Sequence, residues 1–267
     1  MYVADQWLRR AARRLFIGTL LEGPGRRLAD LIPRALDEND RLTFGWMRRL
    51  LEPTSNCIDI GCHKGLYLAE MLALAPAGRH FAFEPIPYLY ETLQQRFGGD
   101  SRVTLFDCAL SDRDDKTVFY LNRDNPAFSG LRRRRYPDAR DRVNEISVEV
   151  RRLDDLIPAD MPISLMKIDV EGAELPVLRG ATALIARTRP VIVFEFGTGS
   201  AEFYGSTPEG LYAFFAEQHY QLYSLPVTDA GGSPLKECDL VRHFETNDEY
   251  YFAGVPEDFS ARVQSSR

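Results

Sequence analysis

From Cys57 onward the chain alternates short apolar runs with longer stretches whose apolar positions recur at helical spacing. "CIDIG" is followed by "LYLAEMLALA" and "HFAFEP" by "YLYETLQQRF"; then comes "VTLFDCAL". Apolar runs bounded by turn residues predict strands buried on both faces, and the stretches between them predict helices. The alternation resumes with "ISLMKIDV", a helix over roughly Glu174 to Ala186, "PVIVFEF", a helix over roughly Pro208 to Gln218, "YQLYSL" and a last strand at "EYYFAGV". This order predicts an α/β fold with a doubly wound, mostly parallel sheet.

Two regions break the pattern. In 111–156, "KTVFYLN" and "ISVEVRRL" alternate with period two, as half-exposed strands do, around the polar stretch "RDNPAFSGLRRRRYPDARDR". We expect a surface excursion near the acceptor side of the site, since long loops carried on a rigid scaffold are often where substrates are met. Residues 1–50 read as an N-terminal helical extension to a domain over 51–267. Within it "WLRRAARRLFIGTLL" sets Trp7, Leu8, Leu15 and Phe16 among paired arginines. Such a helix is expected to pack on its domain; a peripheral membrane contact and a homodimer contact stay open.

Charge sharpens this division. The 267 residues carry a net charge of −6, and the first fifty hold ten arginines against six acids, a local +4 that leaves −10 for the remainder. The only other basic concentration is the run Arg132 to Arg135. An acidic domain without aromatic-basic interleaving argues against nucleic acid as a partner. Cys57, Cys62, Cys108 and Cys238 lack zinc-type spacing and are expected to be reduced thiols. No apolar run approaches the roughly 20 residues that span a bilayer, and no signal-peptide core is present, so a cytoplasmic location is expected.

The first strand runs into Asp59-Ile60-Gly61-Cys62-His63-Lys64-Gly65, a turn that places backbone N–H groups and a helix N-terminus beside a ligand. A dinucleotide fingerprint requires a third glycine, and no P-loop motif occurs. An acid ahead of the glycines suits a cationic group, such as the ammonium of S-adenosylmethionine. Glu84 ends the second strand about twenty residues later, where a carboxylate accepts from ribose hydroxyls. At the end of the third, Asp107 and the adjacent backbone of Cys108 and Ala109 are placed for the adenine edge. Taken singly, Asp59 and Glu84 also fit helix caps or solvated charges; together, at strand ends, they favour a cofactor.

Here the sequence resembles a known family. "DIGCHKG", "FAFEPIP", "ALSD", "LDDLIP" and above all "MKIDVEGAELPVLRGA" are similar to the FkbM family of S-adenosylmethionine-dependent methyltransferases, over Cys57 to Phe196. The resemblance implies a class I methyltransferase fold: a seven-stranded sheet with an antiparallel last strand and the cofactor at the carboxyl ends of the first strands. Cys62 and His63 stand where family members often have Ala-Asn, so cofactor contacts there are expected from the backbone.

Methyl transfer to a hydroxyl needs an oriented acceptor and a proton acceptor. Asp169 lies at the end of "ISLMKIDV" with Glu171 directly after that stretch, and Glu195 lies at the end of "PVIVFEF"; all three are candidate catalytic residues, with His63 as an alternative base. Such acids also suit a divalent metal, which the sequence does not require. Arg132, Arg133 and Arg134 are candidate substrate-binding residues for an anionic acceptor, although charge runs are commonly just solvated. The expected acceptor is a small molecule or saccharide. An NAD-dependent oxidoreductase and a non-catalytic anion-binding module are the competing readings.

Overall fold

A computed structural model describes residues 36–136, 138, 140–226 and 232–259. The arginine-paired segment 7–21 lies outside them, and with it the expected packing, membrane and dimer roles of that helix.

The first described helix, α1 (Glu38–Leu50), opens with reciprocal caps: Asp37 accepts from the Asp40 N–H and Asp40 from the Asp37 N–H. It buries Phe44 and Met47 against Tyr67 and Met71 of α2 (Leu66–Leu74), so it shares the domain's core although the sequence assigns it to the extension. The remaining principal elements are β1 (Cys57–Ile60), β2 (His80–Phe83), α3 (Pro87–Phe97), β3 (Val103–Phe106), β7 (Leu165–Ile168), α4 (Glu174–Arg179), α5 (Thr182–Thr188), β8 (Val191–Glu195), α6 (Pro208–Glu217), β9 (Tyr220–Ser224), α7 (Glu237–Thr246) and β10 (Tyr251–Pro256). The excursion contributes β5 (Asp115–Asn122) and β6 (Val143–Arg151), and β4 (Cys108–Leu110) lies just ahead of it.

Seven strands form one sheet in the order β3-β2-β1-β7-β8-β10-β9, parallel except for β10, which runs antiparallel to both its neighbours. Alternate residues of the central strands point to opposite faces. Cys57, Leu165, Val191 and Val193 meet α1 and α2 on one side, while Ile58, Ile60, Met166, Ile168 and Phe194 meet α4, α5 and α6 on the other. Burial on both faces explains why these strands read as continuous apolar runs.

Three local expectations change. "VTLFDCAL" is two strands, because Cys108 to Leu110 leave the main sheet at Asp107 and pair with β6 instead. The helix expected over Glu174 to Ala186 breaks between α4 and α5. A Cβ on Gly180 would sit 2.0 Å from the Ser111 carbonyl, the Gly180 carbonyl accepts from Asp154 N–H, and the Asp154 carboxylate caps α5 through the N–H groups of Ala183 and Leu184. Helix α7 was not anticipated: its mostly polar sequence fully buries only Leu240. The excursion's two strands form a small three-stranded sheet with β4, in the order β4-β6-β5, whose Phe119, Leu121, Val148 and Val150 pack with Ile86 and Leu89 at the start of α3.

Candidate active site at the carboxyl edge of the sheet

Strand register defines the site. Phe106, Phe83, Ile60, Ile168 and Phe194 stand side by side across five parallel strands. The next residue on each strand is therefore, in spatial order, Asp107, Glu84, Gly61, Asp169 and Glu195, and Tyr251 of β10 pairs with Glu195. Four carboxylates named from the sequence thus share one rim with the glycine turn.

The turn after β1 is shaped by its neighbours. Gly61 has φ +71°, and a Cβ there would lie 1.9 Å from the Asp169 carbonyl oxygen, so only glycine lets β1 and β7 leave the sheet this close together. His63 adopts φ +50° and donates its backbone N–H to Glu84 Oε2 at 2.9 Å, which makes its backbone a link between the turn and β2. Glu84 Oε1 accepts from Ile86 N–H at 2.9 Å. Burial pushes the Glu84 carboxyl up to about 7, and the two N–H bonds oppose that rise. Cys62, Cys108 and Ala109 are buried beside the rim, while Asp107 is exposed.

Asp59 sits one step inside the rim, fully buried, and accepts from Leu68 N–H at 3.1 Å. Its partner is Lys167, opposite it in register on β7, with the ammonium 3.6 Å from Asp59 Oδ1, 3.8 Å from Asp169 Oδ2 and 3.3 Å from the Gly61 carbonyl. The same ammonium lies 4.8 Å from the centre of the Tyr67 ring, whose hydroxyl donates to Asp40. Burial alone would lower the Lys167 pKa; Asp169 and Asp59 overcome it and hold the lysine charged, above its ordinary value. Asp169 keeps 18% of its side chain exposed and accepts from the Tyr251 hydroxyl at 3.2 Å. One buried cation therefore orients an inner carboxylate that supports the turn and an outer one that reaches the surface.

The segment after β7 is tied down separately. Glu174 Oε1 accepts from the N–H groups of Val170 and Gly172, and burial pushes this carboxyl up to about 7. Glu171, at φ +57°, is buried and ion-paired with Arg134. That pairing revises two expectations: Arg134 is buried rather than presented with Arg132 and Arg133, and Glu171 faces it instead of standing in the rim row. Glu195 is 2% exposed, deeper than Asp169. Sequence reasoning also missed Tyr251 and Tyr67, which carry no motif beyond their residue type, and Glu174, which lies within "MKIDVEGAELPVLRGA" but was not singled out there. Among the described residues no group of three or more His, Cys, Asp or Glu is arranged to hold a metal ion, and no helix is long and apolar enough to cross a membrane.

A parallel sheet of this strand order, with one antiparallel strand inserted near its edge and an acid-lined rim at its carboxyl ends, is that of a class I methyltransferase. The family described as Methyltransferase FkbM domain matches residues 59–222, and the chain belongs to it. The chain is 33% identical over 156 residues to the 2-O-methyltransferase NoeI of Sinorhizobium fredii, covering 52% of this chain and 63% of that one. It is 28% identical over 141 residues to Methyltransferase 1 of Beauveria bassiana, covering 46% and 57%. The chain thus spans less than two thirds of the length of these curated relatives. A crystal structure of Methyltransferase FkbM from Methylobacillus flagellatus superposes with a TM-score of 0.50 at 16% identity, covering 95% of this chain and 62% of the other, a likeness of fold.

Proposed function

We propose that the chain is an S-adenosylmethionine-dependent O-methyltransferase acting on a hydroxyl of a small molecule or saccharide. The observation that carries this reading is the register row Asp107, Glu84, Gly61, Asp169 and Glu195 at one sheet edge. The rim and the position just inside it bring five carboxylates together with a single buried lysine, an excess of negative charge that suits a sulfonium and an ammonium. When bound, S-adenosylmethionine supplies an electrophilic methyl group. The glycine turn, braced from inside by the buried Asp59, would hold its amino-acid end, Glu84 its ribose hydroxyls, and Asp107 with the backbone of Cys108 and Ala109 its adenine.

Asp169 is the better placed proton acceptor, because it is the more exposed of the two acids on β7 and β8 and is held by Tyr251 beside a fixed cation. Glu195, paired in register with Tyr251, would position the acceptor. Asp169 would take the proton of the acceptor hydroxyl as that oxygen receives the methyl group. The 2-O-methyltransferase relative supports an oxygen acceptor.

The test is transfer of isotopically labelled methyl from S-adenosylmethionine to a panel of hydroxylated small molecules and saccharides. Wild type should label at least one acceptor. Asp169→Asn should lower turnover by about 10²- to 10⁴-fold, the usual range for losing a positioned base. Undiminished turnover in Asp169→Asn and Glu195→Gln would remove both acids from the mechanism.

A further inference from the structure

The arginine run is held in place more firmly than a solvated charge run needs. Gly130 exchanges two backbone hydrogen bonds with Tyr120, and Arg132 N–H donates to the Tyr204 hydroxyl at 3.1 Å. Arg134 is then drawn inward: its side chain is 2% exposed, its guanidinium pairs with Glu171, and it lies 5.2 Å from the centre of the Phe128 ring. A buried ion pair adds little net stability once desolvation is counted, so its main effect is to fix geometry. What it fixes is this loop, set against the turn that follows Asp169.

The neighbouring arginines differ. Arg132, Arg133 and Arg135 are exposed, and no carboxylate among the described residues pairs with them. The nearby acids are committed elsewhere: Asp138 to Arg140, Asp124 to Arg142, and Asp141 to the Asn122 amide. In a domain whose remaining charge is strongly negative, three exposed guanidinium groups on an anchored loop suit an oxyanion, because guanidinium groups bind planar carboxylate and phosphate oxygens in pairs.

We propose that Arg134 is a positioning residue, and that the loop it anchors presents Arg132, Arg133 and Arg135 to a carboxylate or phosphate group on the methyl acceptor. The inference rests on the methyltransferase reading and names the chemistry of its acceptor: an acidic or phosphorylated saccharide, or one linked to a nucleotide.

Calorimetry on the full chain separates the two. S-adenosylhomocysteine is titrated first, and then glucuronate, glucose 6-phosphate, uridine diphosphate and neutral glucose are each added. At least one anion should bind where glucose does not, and the responding probe distinguishes carboxylate, sugar phosphate and nucleotide sources. The surface double variant Arg133→Gln/Arg135→Gln should weaken that anion at least about tenfold, the loss expected from removing charge-assisted hydrogen bonds, with S-adenosylhomocysteine affinity unchanged. Arg134→Met should weaken the anion comparably and speed hydrogen exchange over 130–136, while Arg134→Lys restores part of both. Equal affinity for anions and glucose, or an unchanged anion affinity in the double variant, would overturn the proposal. Failure of S-adenosylhomocysteine to bind would count against the methyltransferase reading alone, since the anion titrations still decide the loop.

Discussion

Replacing Glu84 by glutamine tests the physical basis of the rim. In the folded chain burial pushes this carboxyl up from the usual 4.5 to about 7. Between those values the unfolded chain has released a proton that the native state keeps, so native stability falls as pH rises. At about 1.4 kcal/mol per tenfold in proton affinity, going from about pH 5 to about pH 8 costs the wild type between about 2 and 3 kcal/mol through this group. Glutamine does not titrate, but its NH2 must face the N–H of either His63 or Ile86, which at about pH 5 should leave the variant about 1–3 kcal/mol less stable than wild type. The deficit should shrink, and can reverse, as pH rises. Urea unfolding of both proteins at about pH 5, 6, 7 and 8 measures the gap, and every other titrating group, Glu174 included, cancels in the difference. A gap that stays constant with pH would show that burial does not control the Glu84 carboxyl.

Other outcomes follow from the same geometry. Gly61→Ala should cost more than about 4 kcal/mol or abolish soluble expression, since the Cβ would overlap the Asp169 carbonyl at a positive φ; a normal urea midpoint would contradict this. Lys167→Met should destabilise by about 3–5 kcal/mol by stranding Asp59. Adding Asp59→Asn should recover part of that loss, read again as unfolding midpoints.

Much of this was legible in the sequence because it depends on short-range pattern. Buried parallel strands read as apolar runs, so β1, β2, β7 and β8 lie where "CIDIG", "HFAFEP", "ISLMKIDV" and "PVIVFEF" put them. Because the runs end at the same height in the sheet, in Gly61 on β1 and in a carboxylate on β2, β7 and β8, their terminal residues point to one rim. What was missed depends on contacts between residues distant along the chain. Lys167 meets Asp59 across the β1–β7 register, Tyr251 meets Asp169 from a strand that arrives last, and Arg134 finds Glu171 by folding back from the excursion. None of these pairs leaves a local signature. The break at Gly180 depends likewise on Ser111 and Asp154, and α7 has too narrow an apolar stripe to stand out.

The most direct test of the central claim is calorimetric titration of the chain with S-adenosylhomocysteine, alongside NAD. One S-adenosylhomocysteine site is expected, weakened at least about tenfold by Glu84→Ala through the lost hydrogen bonds to the ribose, with no NAD binding. Binding of NAD without S-adenosylhomocysteine, or S-adenosylhomocysteine affinity indifferent to Glu84→Ala, would contradict it.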